Sequence, residues 1–416
     1  MPYIEPAPDL GGRDPAALLA AARAAMESVT FGDEDDPRFH LDPIPRVITA
    51  REWGELEPGL AQRVRALDAW CADVYGERRI VRDGLVPARV IETIDTLEPR
   101  LRGLTLPLWV GIAGLDVVRA PDGRFLVLED NLRTPSGMAY AVAARATSDR
   151  LLGADAVPLD GLRGMLEATF AAVAPGDDRP RGVVLTDGPD NPAFWEHEQL
   201  AELLGIPVLR PDEVDLAAFD VVYRRTNGSR LDSPVGQLLE RPWREGRIGL
   251  VSAFGVGVGD DKLAHAYVED MVRYYLGEEP RLRSVRTFDL GRPEVLEEAL
   301  DRIEELVIKP RAGYGGEGVV ICPHAEPEDV ARVREEVRAR PEDHIAQELI
   351  ELSEHPTVVD GALAPRHVDL RPFVFLGPEG AASVLPGGLT RVALDEGALV
   401  VNSSQNGGAK DTWVLR

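Results

Sequence analysis

A glycine-rich segment between two strand patterns constrains the fold of this chain more than any other part of its sequence. The segment VIKPRAGYGGEGVVI, residues 307–321, places Lys309 at the end of one strand and a second strand after Gly313, Gly315, Gly316 and Gly318. Its Gly-x-Gly-x-x-Gly spacing matches the Rossmann fingerprint, but that fingerprint opens a helix and this one opens a strand. The sequence therefore predicts a glycine-rich β-hairpin and excludes a Rossmann site here.

Such a hairpin is typical of a flap over nucleotide phosphates. Glycines let backbone N–H groups approach an anion because no Cβ atom obstructs it. Lys309 on the adjoining strand would neutralise phosphate charge. An ordinary glycine hairpin is the alternative. A protein-kinase site fits poorly, because the kinase lysine follows its loop and this chain has no Asp-Phe-Gly motif.

A second hairpin is predicted over residues 114–137, GLDVVRAPDGRFLVLEDNLRTPSG, around a Pro-Asp-Gly turn. Asp116 lies on its first strand. Glu129 and Asn131 lie two residues apart on its second strand, so they project from the same face. Two carboxylates and an amide oxygen form a ligand set suited to Mg²⁺. A solvated acidic strand end is the alternative.

The last third of the chain contributes further polar side chains on predicted strands. Strand HIAQELI carries Gln347 and Glu348, which could face a purine and ribose, and Asn402 follows near a Gly-Gly turn. Arg371, in Asp369-Leu370-Arg371, and Arg391 are suited to hold a phosphate or an acyl-phosphate. A surface ion pair is the commoner fate of such arginines.

Helix and strand patterns alternate along all 416 residues, which indicates an α/β or α+β fold of two or three domains. We expect an N-terminal region at 1–177 that ends in the second hairpin, a small open-sheet α/β domain at 178–285, and a nucleotide-binding region at 286–416. In the middle region, Tyr223-Arg224-Arg225 either binds a substrate carboxylate or ends a strand, and the sequence favours neither.

Charge and composition exclude several classes of function. The net charge of −25 opposes contact with nucleic acid or with an anionic membrane surface. Two cysteines are too few for a disulfide framework or a multi-cysteine zinc site. We find no signal peptide and no apolar run long enough to span a bilayer, so a cytoplasmic protein is expected.

The order of these segments resembles that of the ATP-grasp ligases after one circular permutation. Lys262, Lys309 with its glycines, Gln347-Glu348, Asp369-x-Arg371, Arg391 and Asn402 follow one another in the ATP-grasp order. The closing element of that family is similar to Asp116…Glu129-x-Asn131 with Pro135-Ser136-Gly137, which stands near the N-terminus instead. The segments EDNLRTPSG, DDKLAHAYV and LPGGLTRVAL are similar to the circularly permuted ATP-grasp family, whose more distant relatives include glutathionylspermidine-synthase-like carboxylate–amine ligases.

The resemblance implies an α/β (α+β) fold, a circularly permuted ATP-grasp with a small open-sheet α/β domain. It implies an ATP-dependent ligase that joins a small-molecule or peptide carboxylate to an amine through an acyl-phosphate, with Mg²⁺, and releases ADP and phosphate. The alternatives are a non-catalytic nucleotide-binding partner protein on the same fold and an ATP-dependent phosphotransferase.

The resemblance also implies a role for each residue. Lys262 and Lys309 would hold the α- and β-phosphates, beneath a flap at Gly313–Gly318. Asp116, Glu129 and Asn131 would hold Mg²⁺. Arg391, with Arg133 or Arg371, would stabilise the transferred phosphoryl group, and Gln347, Glu348 and Asn402 would contact the nucleotide. We expect these lysines and arginines to form a locally positive cleft.

Overall fold

The computed structural model describes residues 2–32, 38–153, 155–176, 179–312, 318–395, 397–398 and 407–416. Its strands are β1 Leu41–Ile48, β2 Ile112–Arg119, β3 Phe125–Asn131, β4 Gly182–Thr186, β5 Val208–Leu209, β6 Val221–Arg225, β7 Gly249–Val251, β8 Arg283–Ser284, β9 Thr287–Phe288, β10 Leu306–Pro310, β11 Val320–Ile321, β12 His344–Glu348, β13 Glu354–Val359, β14 Ala362–Arg371, β15 Phe373–Leu376, β16 Ala382–Val384, β17 Leu389–Val392 and β18 Gly408–Val414.

Its α-helices are α1 Pro15–Ala25, α2 Ala50–Tyr75, α3 Arg79–Arg82, α4 Ala88–Glu92, α5 Met138–Leu152, α6 Leu162–Val173, α7 Phe194–Leu204, α8 Pro234–Arg244, α9 Val268–Met271, α10 Pro293–Asp301 and α11 Pro327–Ala339. Short 3₁₀ turns occur at Pro99–Leu101, Leu216–Ala218, Val256–Val258, Ala264–Tyr267, Ile303–Glu305, Cys322–His324, Pro341–Asp343 and Pro378–Gly380, and a π-helical turn at Val272–Leu276. Among the described residues, no helix is long and apolar enough to cross a membrane.

The largest sheet contains strands from both ends of the chain. It runs in the order β1-β18-β17-β14-β2-β15-β16, with β13 beside β14, β3 beside β2 and β8 beside β3. β1 lies parallel to β18, and β2 lies antiparallel between β14 and β15, with Val117 opposite Leu370 and Ala113 opposite Val374. β2 is buried along its whole length because it lies in the interior of this sheet. An N-terminal hairpin thus completes a sheet whose neighbouring strands come from the C-terminal part, as the motif order predicted.

The hairpin of β2 and β3 has the register that its predicted ligand set needs. Asp116 lies opposite Glu129, and Gly114 lies opposite Asn131. The turn between the strands contains Gly123 at φ +85°, a backbone conformation that L side chains rarely adopt. The predicted Pro-Asp-Gly hairpin is therefore confirmed.

A four-stranded parallel sheet, β5-β4-β6-β7, occupies the middle of the chain. Helix α7 follows β4 and ends at Gly205, which adopts the left-handed conformation at φ +69°. This sheet is the small open-sheet α/β unit that the sequence predicted. The domain boundaries at 177/178 and 285/286 stay predictions.

A separate four-stranded antiparallel sheet, β11-β10-β12-β9, carries the glycine-rich hairpin. It packs with α10 and α11 around its own apolar core, which includes Leu300, Ile308 and Val333. β10 and β11 pair antiparallel, so the predicted strand-to-strand hairpin is confirmed. Gly318 has φ +71°, whereas Gly313, Gly315, Gly316 and Asn402 lie outside the described residues.

Candidate active site

A cleft of about 870 Å³ lies between the largest sheet and the antiparallel sheet. Its lining includes nearly all of the predicted site residues that the structure describes: Asp116, Glu129, Asn131, Arg133, Lys262, Lys309, Gln347, Glu348, Arg371 and Arg391. These side chains are spread over more than 270 positions of the sequence. The fold therefore brings them to one place, although their positions alone do not test the role assigned to each.

Two of the three lysines in the chain line this cleft. Lys309 Nζ donates to Gln347 Oε1 at 2.6 Å, and Lys262 Nζ lies 3.9 Å from Glu129 Oε1. Burial lowers the pKa of Lys309, an effect that Glu129 opposes and Lys262 increases. Lysine is rare among the 46 Lys+Arg residues of the chain, yet two of the three compact ammonium groups lie in this cleft. The scarcity of lysine is a signal that our sequence analysis did not use.

The side chain of Gln347, although it lines the cleft, is hydrogen-bonded to Lys309 and Thr287. Its side chain is buried, and its Nε2 donates to Thr287 Oγ1 at 3.0 Å while its Oε1 accepts from Lys309. Glu348 next to it is half-buried and lies 3.3 Å from a guanidinium nitrogen of Arg286. A direct contact between the Gln347 side chain and adenine, as the sequence suggested, would require this arrangement to break.

Part of the cleft lining is apolar, and we call this part the apolar slot. Val118, Leu128, Val307, Ile350 and Leu352 all line it. Val118 and Leu352 are buried and pack in one cluster, with Leu128 and Ile350 against them. A flat apolar ring such as a purine suits a slot of this kind, because apolar lining favours its transfer from water.

The predicted Mg²⁺ ligands leave two groups open. Glu129 has 36% of its side chain exposed, and Asn131 Nδ2 is buried without a hydrogen-bond partner among the residues that the structure describes. Amide oxygen and nitrogen exchange places by a flip, so Asn131 can turn its oxygen to a cation. No group of three His, Cys, Asp or Glu side chains within the described ranges is placed to hold a metal. One carboxylate and one amide oxygen nevertheless suit Mg²⁺, because this ion binds few protein oxygens and takes phosphate and water oxygens for the rest of its shell.

Asp116 is committed to two arginines. Arg371 donates to it through Nε at 2.8 Å and Nη2 at 3.0 Å, and Arg391 Nη2 lies 3.0 Å from Oδ2. Burial would raise the pKa of Asp116, but these guanidinium groups hold it below its usual value. A carboxylate offers about four lone-pair positions, so three donors leave about one for a metal.

Asp369 holds Arg391 from the other side. Arg391 Nε donates to Asp369 Oδ1 at 2.9 Å, and its Nη2 donates to Oδ2. Burial raises the pKa of Asp369, and Arg391 only partly opposes that effect. Arg391 is thus fixed between two carboxylates, with its position in the cleft set by both.

Arg133 and Arg311 also line the cleft. Arg133 Nε donates to Asp260 Oδ2 at 2.6 Å, which raises the pKa of Arg133. Arg311 Nε donates to Asp261 Oδ2 at 2.8 Å and Arg311 also binds Thr93. Our sequence analysis missed Arg311, although it stands two residues after Lys309. It connects the base of the glycine-rich hairpin to the segment that carries Lys262.

The lining of the cleft carries charges of both signs, so the expectation that the cleft is locally positive stays a prediction. The five predicted cations do line it, but among its described lining residues carboxylates outnumber lysines and arginines by nine to seven. Arg133, Arg311, Arg371 and Arg391 are each paired with an aspartate. Lys262 instead lies 3.9 Å from the partly exposed carboxylate of Glu129, and the charges of Glu129 and Asp116 act on Lys309.

The Tyr223-Arg224-Arg225 segment has a structural role. Arg224 is buried and donates to the carbonyl oxygens of Ser252 and Ala253. Arg225 is also buried, and its Nη2 lies 2.9 Å from Glu196 Oε2. Neither arginine lines the cleft. These contacts favour the strand-end interpretation over a site for a substrate carboxylate.

Comparisons with known proteins agree with this geometry. Residues 45–393 match the family model described as "Circularly permuted ATP-grasp type 2". A protein of Frankia casuarinae named "Putative glutamate--cysteine ligase 2-2" is 44% identical, over 92% of this chain and 48% of that protein. An uncharacterized protein of Mycobacterium tuberculosis strain H37Rv is 41% identical, over 99% of this chain and 80% of that protein.

The chain spans about half the length of the Frankia relatives, including one of Frankia alni that is 43% identical and is covered over 51% of its length. Among solved structures, a glutathione synthetase-like effector of Globodera pallida (GSS30) aligns with a TM-score of 0.67 at 11% identity, over 99% of this chain and 100% of that one. At that identity the likeness supports the fold alone. The match to the family model covers most of the chain, and this chain therefore belongs to the circularly permuted ATP-grasp family.

Proposed function

We propose that this protein is an ATP-dependent carboxylate–amine ligase that forms an acyl-phosphate and releases ADP and phosphate. One observation carries the proposal. A single cleft gathers two lysines, an open Glu-x-Asn pair and two fixed arginines, from both ends of the chain. Such a set of side chains can bind a nucleoside triphosphate and stabilise the charge of a transferred phosphoryl group. The substrates would be a small-molecule or peptide carboxylate and an amine acceptor.

Lys262 and Lys309 would bind the nucleotide phosphates. Their ammonium groups are compact and lie around one small cavity beside Glu129. The apolar slot at Val118 and Leu352 would receive the adenine, with contacts from the backbone of the segment after β12. This proposal moves Gln347 from adenine recognition to the orientation of Lys309.

Glu129 and Asn131, with the remaining acceptor position of Asp116, would hold Mg²⁺. The ion would neutralise phosphate charge when it is bound. Arg371 and Arg391 would stabilise the phosphoryl group in transfer, since their aspartate partners fix both guanidinium groups before the substrate arrives. The glycine-rich hairpin, including Gly313, Gly315, Gly316 and Gly318, would exclude water that would otherwise hydrolyse the acyl-phosphate.

The test measures ADP and phosphate release from ATP and Mg²⁺ with a panel of carboxylates and amines. Glutamate and cysteine belong in the panel because of the names of the Frankia relatives. Hydroxylamine in place of the amine should trap the acyl-phosphate as a hydroxamate. Glu129→Gln should abolish ADP release, whereas Glu335→Gln on the exposed face of α11 should not.

Two outcomes would favour the alternatives. Phosphate that stays on a stable product, with no amide formed, would indicate a phosphotransferase. Tight binding of MgATP without any turnover across the panel, and no hydroxamate, would indicate a non-catalytic nucleotide-binding protein.

A further inference from the structure

A buried histidine lies behind the strand that carries the predicted metal ligands. His265 is 4% exposed, and its Nδ1 lies 2.7 Å from Asp130 Oδ2. Asp130 follows Glu129 on β3, so the two side chains project to opposite faces of the strand. Arg63 of α2 donates to Asp130 through Nε at 2.6 Å and Nη2 at 2.7 Å. His265 therefore belongs to an ion cluster that adjoins the cleft.

Nδ1 of His265 lies 2.7 Å from Asp130 Oδ2 and 3.1 Å from Arg63 Nη2. We assign the ring hydrogen to Nδ1 on the shorter contact, because a ring nitrogen without a hydrogen would repel the carboxylate at that distance. Arg63 makes two hydrogen bonds to Asp130, which keeps the carboxylate an acceptor towards the ring. Burial, Arg63 and Lys309 lower the pKa of His265 although Asp130 opposes them, which favours the neutral ring. Its Nε2 consequently presents a lone pair.

That Nε2 is buried without a hydrogen-bond partner among the described residues. His265 lines a small cavity together with Lys309, Lys262, Glu129 and Gln347. The cavity has a volume of about 10 Å³, which approaches the space that one water molecule needs. A buried acceptor without a donor is unfavourable, and the ammonium group of Lys309 on this cavity can supply the donor.

We propose that His265 is a positioning residue for Lys309. Its Nε2 accepts a hydrogen bond from one water molecule in the small cavity, and that water molecule accepts a hydrogen bond from the Lys309 ammonium. An ammonium has three donors. Gln347 receives one, this water molecule receives the second, and the third points to a nucleotide phosphate. Asp130 and Arg63 fix the ring so that this geometry exists before the nucleotide binds. The inference rests on the proposed function only in that Lys309 binds a phosphate.

The first experiment needs no nucleotide. Imidazole ¹⁵N resonances are compared between the unaltered protein and Lys309→Met. The Nε2 resonance of His265 should have the position of an unprotonated nitrogen that accepts a hydrogen bond, and it should move in Lys309→Met. The ring of His355, which is buried elsewhere beside Lys410, is the matched control and should not move. A His265 resonance that is the same in both proteins would overturn the inference.

The second experiment measures MgADP affinity for His265→Leu and His265→Gln by titration calorimetry. Leucine removes the acceptor at similar volume, so affinity should fall on the order of 10-fold to 100-fold, as for one hydrogen bond to a charged group. Glutamine retains an acceptor and should restore affinity to within about threefold of the unaltered protein. His355→Leu should leave affinity unchanged.

The outcomes separate this inference from the proposed function. If the unaltered protein does not bind MgADP, the proposed function fails. If it binds and folded His265→Leu binds equally well, or both His265 variants lose affinity equally, only the inference fails. Thermal unfolding establishes that each variant is folded, and where a variant is not, the resonance experiment decides.

Discussion

Two groups of charges in this molecule differ in how completely their carboxylates are paired. We define the N-terminal ion cluster as Glu5, Arg46, Arg119 and Ser353. There, both oxygens of Glu5 accept hydrogen bonds, from Arg46 Nε at 2.8 Å, from Arg46 Nη2 and from Ser353 at 2.6 Å. Arg46 Nη1 and Arg119 Nε have no hydrogen-bond partner within the described part of the chain. In the cleft, by contrast, the carboxylate of Glu129 is partly exposed, and Asn131 Nδ2 has no hydrogen-bond partner among the described residues.

This difference in pairing distinguishes charges that stabilise the fold from charges that are available to a ligand. The N-terminal ion cluster joins residue 5 to β1, to β2 and to the segment before β13, and it is closed to solvent. A buried ion pair of this kind matters because each charge neutralises the other, so the loss of one partner leaves a charge in an apolar surrounding. The open groups of the cleft have the opposite character. Their hydrogen-bonding capacity is left for a ligand, so their loss should change binding more than folding.

The largest effect on stability is expected where a buried ion pair is broken. Arg46→Met should lower the free energy of unfolding by about 3–5 kcal/mol, because Glu5 would remain buried without its main partner. Urea unfolding followed by circular dichroism measures the change. Arg51→Met is the matched control, since Arg51 is 89% exposed, and it should change the free energy by less than about 0.5 kcal/mol. An Arg46→Met protein as stable as its parent would show that the N-terminal ion cluster does not stabilise the fold.

Lys309→Ala should change activity strongly and stability little, the opposite of Arg46→Met. The rate of ATP-dependent ADP release should fall on the order of 10²–10³-fold, as for the loss of one preorganised cationic donor. The free energy of unfolding should change little, since burial already disfavours this ammonium. Lys410→Met is the control, because Lys410 is buried against Asp42 outside the cleft. Lys410→Met should be less stable than the unaltered protein and keep its MgADP affinity. If Lys309→Ala and Lys410→Met change stability and affinity alike, the distinction between the cleft and the other buried charges is wrong.

A pH titration should distinguish the N-terminal ion cluster from the cleft in a third way. Burial would raise the pKa of Glu5, but Arg46 and Arg119 lower it from 4.5 to about 2. A folded-state pKa below the unfolded value gives stability that is present above pH 4.5 and is lost as the pH falls towards 2. The stability difference between the unaltered protein and Glu5→Gln, about 3 kcal/mol at neutral pH, should therefore shrink as the pH falls below 4.5.

Urea unfolding of both proteins at a series of pH values measures that difference. Other carboxylates titrate in both proteins and cancel. MgADP affinity, measured at the same pH values in the folded range, should not depend on the Glu5→Gln change. A difference in stability that stays constant as the pH falls would mean that Glu5 is not held ionised by Arg46.

The same comparison explains what could be predicted from the sequence. The β2–β3 hairpin follows from two local strand patterns and the Pro-Asp-Gly turn between them, whereas the register shift after Asp116 could not be predicted. The glycine-rich hairpin of β10 and β11 was predictable because two strand patterns flank the glycines. The order of the motifs then indicated the permuted fold, because each motif belongs to one local element.

The pairing of charges could not be predicted, because it depends on side chains that are distant in sequence. Arg371 reaches Asp116 across 255 positions, and Asp130 reaches Arg63 across 67. No local pattern tells whether an arginine binds a ligand or a neighbouring aspartate. For that reason the sequence grouped these arginines with the lysines, whereas the structure pairs Arg133, Arg371 and Arg391 with aspartates.

The smallest effect is expected for a pair that lies entirely in solvent. On α6, Arg163 Nε lies 2.8 Å from Glu167 Oε1, with 56% and 54% of the two side chains exposed. The distance equals that of buried pairs, but water screens both charges and holding two long side chains has an entropic cost. A double-mutant cycle with Arg163→Ala and Glu167→Ala should therefore give a coupling free energy of about 0.3–0.5 kcal/mol, and added salt should reduce it. The same cycle on Arg46 and Glu5 should give several times more. Equal coupling free energies for the two pairs would mean that burial does not set the strength of these ion pairs, and the distinction between the N-terminal ion cluster and the open cleft would lose its physical basis.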